Sequence, residues 1–144
     1  MLKGIDPLLS PALLHALAAM GHGDTVALVD ANFPATGTAR RLVELPGTDI
    51  DAVLRAVLSL LPLDTFVDSP AQVMQVVGDP AAQPEVYGVF HRHLAAVGAP
   101  PAEALERFAF YAAASDAFAV VQTGERRLYG NILLRKGVLP PPAG

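Results

Sequence analysis

The chain has 144 residues, the commonest size for a single domain. Hydrophobic residues make up 52% of it, charged residues only 17%, and the formal net charge at pH 7 is −4. This composition excludes intrinsic disorder, and the acidic balance argues against a nucleic-acid partner. The longest stretch without charge, residues 7–23, contains two prolines and two histidines, so we expect no membrane-spanning helix and no membrane partner.

The chain starts with Met-Leu-Lys-Gly-Ile-Asp-Pro, which lacks the basic and apolar regions of a signal peptide. The absence of cysteine excludes disulfides and thiolate chemistry, and it is consistent with a cytoplasmic protein. We expect one domain over residues 1–139, followed by a proline-rich tail over residues 140–144. The excess of apolar residues predicts an apolar surface that a partner subunit covers.

The predicted helices and strands alternate along the chain. Ser10 and Pro11 are typical of a helix start, and Gly21 of its end. Apolar periodicity predicts further helices over residues 49–61 and 84–97, with a helical turn over 111–115 and a loop over 32–37. Apolar or alternating runs predict strands over residues 25–30, 41–45, 73–77, 106–110, 117–122 and 131–134.

This alternation predicts the α/β class: a single three-layer α/β/α domain with a mixed sheet of about five or six strands. The order of the strands does not follow from the sequence.

His22 and Asp30 are the first two candidate site residues. His22 lies between two glycines just beyond the first helix, where an imidazole that titrates near neutrality suits proton transfer. An ordinary exposed loop histidine is the alternative. Asp30 ends a strand predicted to be buried, and ligands of open α/β sheets bind outside the carboxyl ends of the strands. A carboxylate that caps a turn is the alternative.

A second candidate region is the aromatic segment around Arg107. Residues 106–111 place this cation among three aromatic side chains, a combination that suits sugar binding. The alternative is an amphipathic segment with Phe108 and Phe110 in the core and Arg107 paired with Glu106 or with solvent.

A third candidate region is the loop over residues 123–131, between two predicted strands. Tyr129 and Asn131 both donate and accept hydrogen bonds, as a polyhydroxylated ligand requires. A plain hairpin loop is the alternative, and the pair Arg126 and Arg127 is predicted to be solvated.

Several kinds of chemistry find no support in the sequence. It contains no GxxxxGK[ST] loop, no GxGxxG and no GxSxG, the motifs of nucleotide-driven and serine-hydrolase chemistry. His91 and His93 are two residues apart on a predicted helix and so cannot share a face. We therefore expect no metal site.

Five segments together resemble the L-fucose mutarotase and D-ribose pyranase family. They occur in the family's order from Met1 to about Val138, and residues 63–101 match least. The chain is most similar to the L-fucose mutarotase branch, since ribose pyranases carry Gly-Leu-Pro where this chain has Asn32-Phe33-Pro34, and tend to carry histidine in place of Arg107. The segments are Met1–Ile5, Met20–Asp24, Asp30–Ala35, Arg107–Tyr111 and Thr123–Gly137.

The resemblance implies a cofactor-free isomerase that interconverts the α and β anomers of L-fucose by acid–base opening and closing of the ring. It also implies a ring-shaped homo-oligomer, a decamer, with sites near subunit boundaries. Carried over residue by residue, the resemblance makes His22 the proton donor and Tyr111 a second catalytic residue. The residues that it places on the sugar are Asp30, Arg107, Tyr129, Gly130 and Asn131.

Three alternatives to this activity stay open at the level of sequence. They are a D-ribose pyranase, a sugar-binding module without turnover, and a structural ring protein. The sequence also leaves open whether Asp30 orients His22 or binds the sugar, and which side chain is the second proton carrier.

Overall fold

The computed structural model describes all 144 residues. None of its helices combines the length and the apolar character needed to cross a bilayer. Its elements in chain order are α1 (Pro11–Ala19), β1 (Thr25–Val29), α2 (Ala35–Thr38), β2 (Leu42–Leu45), α3 (Ile50–Leu58), β3 (Ala71–Met74), α4 (Glu85–Ala96), β4 (Glu103–Leu105), α5 (Arg107–Asp116), β5 (Ala119–Thr123) and β6 (Ile132–Arg135).

The six strands form one mixed sheet in the order β2-β5-β1-β6-β3-β4. Neighbouring strands are parallel except at β6, which runs antiparallel to both β1 and β3. In the centre of the sheet, Ala27 of β1 pairs with Val120 of β5 on one side and with Leu133 of β6 on the other. The carboxyl ends of β1, β3 and β5 therefore lie at the same edge as the first residue of β6.

Helices cover both faces of this sheet, because alternate strand residues point to opposite sides. The larger core joins α1, α3 and α4 to the sheet and contains Phe90 and Leu28. The smaller core joins α2 and α5 to the opposite face and contains Phe110 and Val29. The protein is thus a three-layer α/β/α domain, and the predicted fold class and strand number are confirmed.

The helix starts follow from local sequence. The Ser10 hydroxyl accepts a hydrogen bond from the Leu13 N–H at 3.3 Å, and Pro11 occupies the first position of α1. The Asp49 carboxylate accepts from the Ala52 N–H at 2.8 Å and so begins α3. Because these caps satisfy N–H groups that have no partner within the helix, they fix where each helix begins.

The prediction of a strand over residues 106–110 is wrong. β4 ends at Leu105, and the Glu106 carboxylate then accepts hydrogen bonds from the N–H groups of Phe108 and Ala109. This cap starts α5, whose buried residues Phe110 and Ala114 are four apart, as a helix requires. Phe108 is 64% exposed, so it is not a core residue.

Several other boundaries also differ from the predicted ones. The segment 32–37 is not all loop, since α2 begins at Ala35; β3 ends at Met74 and α3 at Leu58. The left-handed residue after α1 is Gly23, with φ +86°, and not Gly21. The loop over 123–131 is not a hairpin, because β5 and β6 pair with opposite sides of β1.

Candidate active site

A cavity of about 220 Å³ opens at the sheet edge where β1 and β3 end. This volume lies below the roughly 300–1,000 Å³ that is common for drug-sized ligands, so the cavity suits a small molecule. It brings together five of the seven predicted site residues, all except His22 and Gly130. The lining residues are Asp30, Asn32, Phe33, Met74, Val77, Arg107, Tyr111, Leu128, Tyr129 and Asn131.

Asp30 and Asn131 form the base of the cavity. The Asp30 N–H donates to Asn131 Oδ1 at 2.9 Å, and both side chains are 4% exposed. Asp30 Oδ1 accepts from the Asn32 N–H at 3.0 Å, so this carboxylate caps a turn and also lines the cavity. Burial raises the pKa of the Asp30 carboxyl above its ordinary value, and hydrogen bonds from the backbones of Asn32 and Phe33 offset this only in part.

The raised pKa of Asp30 gives a prediction for stability. The fold favours the protonated form of the Asp30 carboxyl. The protonated carboxyl therefore stabilises the fold fully below the pKa that Asp30 has in the unfolded chain. This stabilisation is lost as the pH rises through the pKa that Asp30 has in the folded protein. Asp30→Asn should therefore raise the melting temperature at pH 7, and the difference should close below the ordinary pKa of 3.8. Thermal unfolding at pH 7 and below pH 3.8 measures the difference in melting temperature. Asp116→Asn is the control, because the Asp116 side chain is 80% exposed. A lower melting temperature for Asp30→Asn at pH 7 would contradict it.

Tyr129 is held in an unusual conformation at the mouth of the cavity. It is the only non-glycine residue with a positive φ, +61°, a region that costs an L-residue roughly 1–2 kcal/mol. Its phenolic oxygen accepts a hydrogen bond from the Val77 N–H at 3.0 Å. With this acceptor position occupied, the phenolic hydrogen is available to a ligand oxygen.

Gly130 occupies its position because there is no room for a side chain. A Cβ there would lie 2.8 Å from Glu125 Cγ, 3.2 Å from the Arg127 carbonyl oxygen and 3.4 Å from Asp30 Cβ. The predicted sugar contact of Gly130 would thus come from its backbone, next to Tyr129 and Asn131.

We expect Gly130→Ala to lower the free energy of unfolding by about 1–3 kcal/mol, as overpacking does. The matched control is Gly88→Ala in α4, where a Cβ meets nothing within 4 Å and alanine should stabilise the helix by about 0.5–1 kcal/mol. Urea titration measures both changes. Equal effects of the two substitutions would mean that residue 130 has room for a methyl group.

The first half of α5 forms one wall of the cavity. The Tyr111 ring lies 5.4 Å from the Phe33 ring, and the Arg107 guanidinium lies 4.6 Å from the Phe108 ring centroid. Arg107 Nε is buried without a hydrogen-bond partner. Since buried donors are nearly always paired, this N–H is a candidate for ligand recognition. In the alternative interpretation Arg107 pairs with Glu106 or with solvent, but the Glu106 carboxylate caps α5.

His22 lies apart from this cavity. It precedes β1, whereas Asp30 follows β1, and a strand of five residues spans roughly 17 Å. His22 Nε2 lies 3.2 Å from Oδ1 of the buried Asp64, and its ring packs 5.4 Å from that of Phe66. The Phe66 N–H and the His22 imidazole hold the pKa of the Asp64 carboxyl below its ordinary value. Within one chain, Asp64 and not Asp30 therefore orients His22.

The matches to known proteins cover nearly the whole chain. Residues 3–139 match the model of the RbsD / FucU transport protein family. The chain belongs to this family. It is 50% identical over 145 residues to the fucose mutarotase of Homo sapiens, a match that covers 96% of this chain and 94% of that protein.

Two solved structures of RbsD / FucU proteins have a fold similar to that of this chain. The fucose mutarotase of Streptococcus pneumoniae in complex with L-fucose has a TM-score of 0.91 and 40% identity, covering 96% of this chain and all of that one. Bacillus subtilis RbsD complexed with D-ribose has a TM-score of 0.75 and 23% identity, covering 97% of this chain and all of that one. At 23% sequence identity, the similarity to Bacillus subtilis RbsD supports only the fold.

The predicted site residues of this RbsD / FucU chain omit Asp64 beside His22 and five residues that line the cavity: Asn32, Phe33, Met74, Val77 and Leu128. Met74 and Val77 line the cavity, although residues 63–101 match the family least. Their place at and just beyond the carboxyl end of β3 is a signal that could have identified them. Asp64 carries no such signal, because it is 42 residues from His22 and meets it only in the fold.

Proposed function

We propose that this chain is an L-fucose mutarotase. The observation that carries the proposal is the cavity at the carboxyl ends of β1 and β3, lined by a carboxylate, a guanidinium, two phenols and two carboxamides. These groups suit a small polyhydroxylated ring. Support for fucose comes from the relative named fucose mutarotase, which matches at 50% identity over nearly its full length.

The proposed reaction moves only protons. Opening the hemiacetal ring removes a proton from the anomeric hydroxyl and delivers one to the ring oxygen, and closing the ring on the other face of the aldehyde reverses both. Because no electrons are transferred, the reaction needs no redox cofactor. An imidazole can both give and take a proton, which suits His22 to this step.

The cavity residues would hold the sugar while its ring opens. Asp30 would accept from sugar hydroxyls, and the unpartnered Nε–H of Arg107 would donate to one. Tyr129 and Asn131 would fix the orientation of the sugar. Tyr111, on the α5 wall, would be the second proton carrier.

His22 would enter this site from a second copy of the chain. Within one chain it lies at the opposite edge of the sheet, beside the exposed side chains of Phe66 and Val67. The mouth of the cavity exposes apolar side chains in turn, among them Leu128 and Val77. Joining two different patches head to tail generates a ring where the rotation closes. The proposed assembly is a ring-shaped homo-oligomer, a decamer, in the cytoplasm.

Exchange NMR on L-fucose tests the function. The α and β anomeric signals should exchange faster when the protein is added, in proportion to its concentration. Catalysed exchange on D-ribose pyranose and furanose forms but not on fucose would instead establish a ribose pyranase. Binding without accelerated exchange would establish a sugar-binding module, and calorimetry without heat for any pyranose would favour a structural role.

A mixing experiment tests whether the site is shared between copies. His22→Ala and Asp30→Asn should each be nearly inactive as pure proteins. After co-refolding at equal amounts, about a quarter of the sites would combine both wild-type residues and regain activity. Light scattering should also give a mass that is a multiple of 15.0 kDa. No recovered activity in mixed oligomers would place both residues in one chain's site.

A further inference from the structure

Glu125 is a buried carboxylate that the proposed proton chemistry does not use. It is 4% exposed, lies in the loop between β5 and β6 and does not line the cavity. Its Oε2 accepts the Ile50 N–H at the start of α3 at 3.1 Å. Its Oε1 accepts the backbone N–H of Arg127 at 3.0 Å and the Nε–H of Arg127 at 2.7 Å. Of the pair predicted to be solvated, Arg126 is exposed, whereas Arg127 is paired with Glu125 and 37% exposed.

The same residue contacts both sides of the proposed sugar site. The Glu125 carbonyl accepts the Ala31 N–H at 2.9 Å, directly after Asp30. Its Cγ lies in the space that a side chain at residue 130 would need, 2.8 Å from the position of such a Cβ. Glu125 thus packs against the backbone that joins Tyr129 to Asn131.

The left-handed backbone of Tyr129 requires such support. A non-glycine residue with φ +61° persists only where its surroundings fix it. On one side the chain is tied down by the bonds between Glu125 and Arg127. On the other side, Asn131 Oδ1 accepts the Asp30 N–H. The phenol of Tyr129 then reaches the Val77 N–H.

We infer that Glu125 is a positioning residue, which holds Tyr129 and Asn131 in their sugar-binding orientation by anchoring their loop to the start of α3. The inference rests on the proposed function for the identity of the ligand. A carboxylate is needed because four donors converge on its two oxygens, and a carboxamide would turn its NH2 group toward at least one of them.

The charge state of Glu125 agrees with this role. Burial works against ionisation, but hydrogen bonds from Arg127 and from the Ile50 N–H outweigh it and hold the pKa of the Glu125 carboxyl below its ordinary value. The carboxyl is therefore ionised at neutral pH and can accept from all four donors.

The test compares Glu125→Gln with Glu85→Gln. Glu85 is 88% exposed and faces the same Arg127 at 3.8 Å, so its loss should leave activity unchanged. In Glu125→Gln we expect the KM for L-fucose to rise about tenfold, with kcat changed less than about threefold, because the proton carriers remain in place. Hydrogen exchange at the Val77 amide should become about tenfold faster without sugar, because its Tyr129 acceptor is released.

Each outcome decides the role of Glu125. If Glu125→Gln changed neither KM nor hydrogen exchange at Val77, the positioning role would be overturned. A lower melting temperature of Glu125→Gln with unchanged KM would also overturn it. If the wild-type protein does not accelerate fucose exchange, the proposed function fails, and Val77 exchange in Glu125→Gln still tests the anchoring. If Glu125→Gln does not fold, Glu125→Asp keeps the charge but is one methylene too short to hold both the Ile50 N–H and Arg127. It should shift KM and Val77 exchange in the same direction, and no shift would overturn the inference.

Discussion

Replacing His22 with alanine is expected to slow L-fucose anomer exchange about 10²–10⁴-fold, the usual contribution of one positioned acid–base group. The fold should survive, because the side chain is 46% exposed and its one hydrogen bond is to Asp64. Exchange NMR at neutral pH measures the rate, and thermal unfolding checks the fold.

The matched control for His22 is His15→Ala. His15 is an exposed residue of α1, so its loss should change neither exchange nor melting temperature. Full activity of the folded His22→Ala protein would remove His22 from the mechanism. The proton transfer would then have to come from the cavity itself, where Asp30 has the raised pKa.

Replacing Tyr111 with phenylalanine is expected to lower kcat for anomer exchange by a similar factor, about 10²–10⁴-fold, if its hydroxyl carries the second proton. The substitution keeps the ring that packs 5.4 Å from Phe33, so the shape of the α5 wall is retained. KM should change little, since the remaining cavity groups still bind the sugar. Steady-state exchange kinetics over a range of fucose concentrations separate the two parameters.

Tyr129→Phe provides the contrast to Tyr111→Phe. It removes the acceptor of the Val77 N–H and a proposed sugar contact, so its main effect should be a higher KM. The opposite pattern, a lower kcat for Tyr129→Phe and an unchanged kcat for Tyr111→Phe, would make Tyr129 the second proton carrier.

Much of the fold could be predicted from the sequence, because several elements carry their own signals. The apolar run of β1 and the Asp49 cap of α3 both indicate the elements that form. The segment after Leu105 was misjudged because Phe108 and Phe110 alternate as in a strand, whereas Glu106 caps a helix. The position of β6 between β1 and β3 could not be predicted, since it depends on pairing between residues about 100 positions apart, such as Val26 and Leu134.

The candidate site divides in the same way. The place of Asp30 at the end of a buried strand is readable from local sequence, as are the donor and acceptor groups of Tyr129 and Asn131 in one loop. The sequence leaves open whether Asp30 orients His22, and the fold separates the two residues by the five-residue strand β1. The contact of His22 with Asp64 and the anchoring of the loop by Glu125 could not be predicted. Both join segments that meet only in the folded chain.

The central position of β6 has a consequence for biosynthesis. The β2-β5-β1 half of the sheet is hydrogen-bonded to the β3-β4 half only through β6. β6 is also the last of the six strands to be synthesised. On the ribosome, the two half-sheets therefore have to wait, each with an open edge, until residues 132–135 emerge. Exposed strand edges are templates for wrong pairing. The nascent chain is thus exposed to wrong pairing until β6 joins the two half-sheets.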